Sequence, residues 1–150
     1  MNLSTLALPQ SSNLHPWKIP EACPDNWHAA ANLNRFQCNI KIDGKDCTVE
    51  FASNKDLNRL ASTQSLAVLL HGYGVGGSSM MTLCEPLNDY DEPFICPNLL
   101  GAGSVFPSDF KFTPQNISQI YASMIRAISP NALTIFGFGN SMGGMFMEGT

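Results

Sequence analysis

Apolar residues recur with two different periods along this chain, and the switches between them outline alternating β and α elements. Phe36, Cys38, Ile40 and Ile42 alternate with polar residues, Asp43-Gly44 follows, and Cys47, Val49 and Phe51 alternate again. Period-two patterning on both sides of an Asp-Gly pair predicts a β-hairpin. Residues 66–70 and 133–138 are instead continuously apolar and β-prone, which predicts strands buried on both faces of a parallel sheet. A shorter strand is expected over 93–96, leaving through Pro97 into the glycine-punctuated loop 98–104. Met80, Leu83, Cys84 and Leu87 mark a short helix limited or kinked by Pro86. Thr113-Pro114 reads as an N-cap followed by a first-turn proline. Ile117, Ile120, Tyr121, Met124 and Ile128 then hold helical spacing up to Ser129-Pro130, a stripe expected to pack on the sheet rather than to form a cofactor surface. Residues 1–34, with Pro9, Pro16, Pro20 and Pro24, show no period. They are expected to form an irregular arm, anchored by Trp17 and Trp27, against a domain occupying 35–150.

Two glycine-rich segments follow the apolar strands and carry the candidate chemistry. Gly139-Asn140-Ser141-Met142-Gly143 fits the G-x-S-x-G nucleophile elbow, in which a sharp strand-to-helix turn lifts a serine hydroxyl clear of the sheet. Gly139 and Gly143 suit that turn, because side chains two residues either side of Ser141 would collide. The backbone N–H of Met142 would face developing negative charge at a helix N-terminus. The earlier strand ends in His71-Gly72-Tyr73-Gly74-Val75-Gly76-Gly77. Small residues there let backbone amides approach a substrate oxygen, with the N–H of Tyr73 as the expected second oxyanion donor.

Three motifs in this order, the His71-Gly72 segment, the loop from Pro97 to Ser104 and the elbow at Ser141, resemble the α/β-hydrolases over residues 36–150. The resemblance implies an α/β fold: a mostly parallel sheet opened by an antiparallel hairpin, with Ser141 as nucleophile and Tyr73 and Met142 as oxyanion donors. His71, Gly72, Gly139 and Gly143 would support the motifs. It implies hydrolysis of a carboxylic ester or thioester of a small acyl substrate, with no metal or organic cofactor. The wording around Ser141 is also similar to elbows of the carbon–carbon-bond hydrolases of that family. Asn98 departs from the pattern, since many members carry Asp there. The family's acid and histidine follow the serine in chain order, whereas His15, His28 and His71 all precede Ser141. The chain is therefore expected to be the N-terminal portion of such a hydrolase, ending just after the nucleophile strand and inactive alone. In the family's strand order 133–138 is central, so it is expected here to be an unpaired apolar edge that promotes aggregation. Substrate-selecting lid residues would come after the elbow. His15 and His28 are expected to be surface residues of the arm.

Composition narrows the remaining classes. Hydrophobic residues make up 44% and charged residues only 13%, well under the roughly one quarter usual in proteins, which suits a buried sheet. The net charge of −4 and the lack of a basic cluster argue against a nucleic-acid partner. No apolar run reaches the ~18 residues of a membrane span. No basic and apolar leader opens the sequence, so a cytoplasmic location is expected. Five cysteines without C-x-x-C spacing point to free buried thiols, although Cys38 and Cys47 would be diagonal neighbours on one hairpin face. Oligomeric state is not legible. Two readings stay open beside the hydrolase. Gly72-x-Gly74-x-x-Gly77 also satisfies the dinucleotide fingerprint, but His71 precedes it and Asp89 and Asp91 fall before the next strand rather than at its end. A non-catalytic relative serving as an interaction module would keep Ser141 as a relic.

Overall fold

The computed structural model describes residues 14–16, 27–71 and 77–139. Among these residues six strands form one sheet in the order β1-β2-β3-β5-β4-β6. They are β1 (Leu14–Pro16), β2 (Asn34–Ile42), β3 (Lys45–Ser53), β4 (Ser65–Leu70), β5 (Phe94–Asn98) and β6 (Thr134–Gly139). Around them lie α1 (Trp27–Ala30), α2 (Leu57–Ser62), α3 (Met81–Asp89) and α4 (Pro114–Ile128).

The predicted hairpin is β2–β3, paired from Asn34↔Ser53 to Ile42↔Lys45. Asp43 and Gly44 both have positive φ, at 51° and 74°, the twist that a two-residue hairpin turn requires. This register makes Cys38↔Val49 and Ile40↔Cys47 direct pairs, so Cys38 and Cys47 are diagonal on one face, as the spacing predicts. Beyond the hairpin, β3 meets β5 antiparallel, while β5, β4 and β6 run parallel. The segment before residue 35 contains more regular structure than its prolines suggest. Leu14–Pro16 adds an antiparallel strand to β2, and Trp27 starts a short helix and is buried. Trp17 lies outside the described residues.

The period-one apolar run of β4 splits by parity between two cores. Leu66, Val68 and Leu70 pack with Ile117, Ile120, Tyr121, Met124 and Ile128 of α4 and with the apolar face of the hairpin. Ala67 and Leu69 pack on the other side with Trp27, Met80, Cys84, Phe94 and Cys96. The two crossovers from β4 through α3 to β5 and from β5 through α4 to β6 thus cover opposite faces. Pro86 sits inside α3 and does not end it. The α4 N-cap is as expected, with Thr113 Oγ1 accepting from the Asn116 N–H at 3.1 Å. Thr113→Ala is expected to lower stability by about 1 kcal/mol, read as a shift of the urea midpoint at unchanged slope; no shift would mean the cap is dispensable.

One strand shows the apolar edge expected from the strand order and not the two-sided burial that its composition alone suggests. Residues 133–138 read as doubly buried, yet every residue of β6 is exposed, with Ile135 at 38%, Phe136 at 48% and Phe138 at 40%. Among the described residues β6 lies at the outer edge of the sheet, paired along Ser65↔Thr134 to Leu70↔Gly139 with β4 alone, and none of its side chains belongs to either core.

Candidate functional site

Parallel strands bring their C-terminal ends to one edge, and β4 is where the connections diverge to opposite sides of the sheet. Such a switch point leaves a crevice beyond the strand ends, where open α/β sheets bind ligands. Leu70 is directly opposite Gly139. Strands β4 and β6 therefore end at the same level, β4 immediately before His71. Of the residues singled out from the sequence, His71 and Gly139 are described; Gly72, Tyr73, Ser141, Met142 and Gly143 lie outside the described residues.

His71 is buried, and its Nε2 accepts from the Leu99 N–H at 3.1 Å. The neutral ring therefore carries its proton on Nδ1. The neighbouring Asn98 ends β5 and is equally buried. Its Oδ1 accepts from the Gly77 N–H at 3.1 Å, and its Nδ2 donates to Glu50 Oε1 at 3.0 Å. An aspartate could accept the first bond but not make the second, which accounts for the departure at position 98 in terms of this chain's own neighbours. Glu50 Oε2 accepts from Arg35 Nε at 2.7 Å, from Arg35 Nη2, and from the Gly103 N–H at 3.1 Å. Ser104 Oγ ties the same corner together, accepting from the Glu50 N–H at 2.9 Å and donating to the Asn98 carbonyl at 2.7 Å.

Sequence reasoning missed this cluster. Arg35 and Glu50 occupy the polar positions of the alternating hairpin, where the pattern singles out neither, and both are buried. That face is covered by α1, the segment read as a loose arm. His28, expected on the surface, is only 2% exposed in α1, and with Trp27 it lines a cavity of about 10 Å³ beside Arg35, Glu50 and Asn98. That volume holds one water and no organic substrate. The available signal was the hairpin register, which makes Gln37 and Glu50 opposite and Arg35 and Glu50 diagonal on one face. Two glycines are needed for close approach. A Cβ on Gly101 would lie 1.2 Å from Glu50 Oε1, and one on Gly77 would lie 2.8 Å from Trp27 Cζ2.

The described cysteines are all free and buried. Desolvation pushes the Cys38 thiol up to about 12 and those of Cys47 and Cys84 to about 11, and holds Cys96 well above its ordinary value. None is poised as a thiolate nucleophile near neutrality. Among the described residues no group of three or more His, Cys, Asp or Glu side chains could hold a metal ion, and no helix is long and apolar enough to cross a membrane. Asp91, weighed as a ribose-binding acid, lies before β5, at the end remote from the crevice. There it pairs with Lys55, which holds its carboxyl below the usual range.

No family model and no curated protein matches the sequence. Solved structures do match the fold. An epoxide hydrolase of Aspergillus niger aligns over 82% of this chain and 33% of its own length, at 14% identity and a TM-score of 0.55. The Cif epoxide hydrolase of Acinetobacter nosocomialis aligns over 86% and 40%, at 15% identity and 0.52. A protein of Acinetobacter baumannii AYE described as a lipase aligns over 68% and 30%, at 19% identity and 0.50. The chain has the α/β-hydrolase fold and spans 30–40% of the length of these neighbours. The antiparallel β2–β3 pair joined to β5 departs from the mostly parallel doubly wound dinucleotide-binding sheet.

Proposed function

We propose that this chain carries the nucleophile half of a serine hydrolase acting on carboxylic esters or thioesters. Ser141 is the nucleophile, and the N–H groups of Tyr73 and Met142 are the oxyanion donors. The observation that supports this most is the pairing of Leu70 with Gly139. It ends β4 and β6 at the same level of an α/β-hydrolase sheet, immediately before the two glycine-rich sequence segments that the reading assigns to the site. In this reading Ser141 Oγ attacks the acyl carbon, and the carbonyl oxygen gains charge against the two backbone amides. A histidine following Ser141 in the family's order takes the hydroxyl proton and passes it to the leaving group. No histidine follows Ser141 within the 150 residues, so the chain alone is proposed to be inactive or nearly so. Serine at the elbow favours acyl transfer over the epoxide opening named for two of the neighbours, because G-x-S-x-G is an acyl-transfer arrangement.

A fluorophosphonate probe is the direct test. Ser141 is expected to be labelled slowly in the 150-residue chain. Labelling should be at least about a hundredfold faster in a longer form that supplies the base, in line with the roughly 10²–10⁴ contributed by general bases. Ser141→Ala is expected to abolish labelling in both. Modification mapped to any other residue, or an unlabelled longer form, would reject the assignment.

A further inference from the structure

The buried polar cluster has a connectivity that the proposed chemistry does not by itself require. The segment proposed to supply an oxyanion donor starts after His71 and ends at Gly77, and both limits are bonded to the same two-residue step at the end of β5. The Leu99 N–H donates to His71 Nε2, and Asn98 Oδ1 accepts from the Gly77 N–H. Asn98 cannot turn freely, because its Nδ2 is held by Glu50. Glu50 is in turn clamped by Arg35 from β2 and by Gly103 from the loop after β5. Three strands and one loop thus converge on the Glu50 carboxylate, and the Asn98 amide carries that clamp to Gly77. We propose that Arg35, Glu50 and Asn98 are positioning residues: a relay from the hairpin that fixes the separation of His71 and Gly77 and, on the serine-hydrolase reading above, sets the reactivity of Ser141.

Polarity is the essential property of the relay. It holds one negative charge, on Glu50, facing one positive charge, on Arg35, with Asn98 donating towards the carboxylate and accepting from the loop. Among the described residues the charged and titratable groups around it are Arg35 on β2, Glu50 on β3, His28 on α1, His71 after β4 and Cys96 on β5, whose Sγ donates to the Gly77 carbonyl at 3.6 Å. Asn98→Asp removes the donor and sets a second carboxylate opposite Glu50, its strand partner. Two carboxylates at that distance cannot both stay ionised in place, so they share a proton at low pH and separate at high pH. Glu50→Gln combined with Asn98→Asp restores the bond in the opposite sense. The introduced glutamine amide donates to the introduced carboxylate, its carbonyl oxygen accepts from Arg35 and Gly103, and the carboxylate accepts from Gly77.

The experiment compares wild type, Glu50→Gln, Asn98→Asp and the double variant by amide exchange at Leu99 and Gly77, as protection factors, and by fluorophosphonate labelling of Ser141. In Asn98→Asp, Gly77 protection is expected to fall about tenfold at about pH 8, the equivalent of one lost hydrogen bond, and to recover at about pH 5. The double variant is expected to match wild type within about threefold at both pH values, since its bond count is restored. Labelling should follow the same order. Wild-type protection in Asn98→Asp at high pH overturns the relay, and so does a double variant as unprotected as the single one. If Asn98→Asp does not fold, the double variant decides alone: a folded, protected protein supports the relay, and an unfolded or unprotected one rejects it. The expected exchange pattern with no labelling in any of the four proteins, or in their longer forms, would keep the relay and reject the nucleophile assignment.

Discussion

Replacing Arg35 by methionine is expected to lower stability by about 3–5 kcal/mol, the usual cost of stranding the partner of a buried ion pair. Methionine keeps most of the volume and the flexible stem, so lost packing is a small part of the effect. What remains is a carboxylate, 2% exposed, that has lost the guanidinium paired with it. Against a typical total of about 5–15 kcal/mol, that is enough to unfold much of the population at moderate urea. An exposed pair such as Lys41 with Asp46 would be worth no more than about 1 kcal/mol, and the comparison is an internal control.

The double variant Arg35→Met with Glu50→Leu separates a simple pair from a network. An isolated buried pair exchanged for apolar side chains of similar volume returns close to wild-type stability. Here Glu50 also accepts from Asn98 Nδ2 and from the Gly103 N–H, and leucine would orphan both donors at about 1–3 kcal/mol each. The double variant is therefore expected to stay about 2–6 kcal/mol below wild type, in the same range as the single one. Urea denaturation followed by circular dichroism measures both. A double variant within about 1 kcal/mol of wild type would show that the links to β5 and its loop contribute little.

The parts of this fold that were legible in the sequence are those governed by local rules. The hairpin, the α4 helix with its cap and β4 each have a periodicity and a boundary residue that act within a few positions. The α/β-hydrolase resemblance rested on short segments that backbone conformation constrains strongly. Burial of polar residues was not legible. Arg35 and Glu50 look like every other outward position of an alternating strand, and only the tertiary cover from α1 makes them internal. The role of Asn98 was equally hidden, since it depends on a strand 48 residues away in sequence. The two-sided burial suggested by the composition of 133–138 fails for a related reason, while the exposed edge expected from the strand order is what the sheet shows. An apolar run reports what a strand can be buried against, whereas its place in the sheet order decides what is there.

That exposed strand carries the second large expectation: the 150-residue chain should self-associate through β6. Side chains at 135 and 136 point to opposite faces by the alternation of a strand, and both are substantially exposed, as is Phe138. The outer backbone edge of β6 has no strand beside it among the described residues, and it offers N–H and C=O groups along six residues. An apolar, uncharged edge of this length is a template for pairing with another chain. Concentration-dependent growth in sedimentation coefficient and binding of an apolar dye are the expected readouts. Ile135→Lys with Phe136→Lys places one charge on each face. It should remove most of the association at a stability change near the roughly 0.5 kcal/mol typical of surface positions. Native-state melting then distinguishes a loss of stickiness from a loss of folding. A monodisperse wild-type monomer that binds no dye would contradict the proposal, as would association unaffected by the two lysines, which would place the contact elsewhere on the molecule.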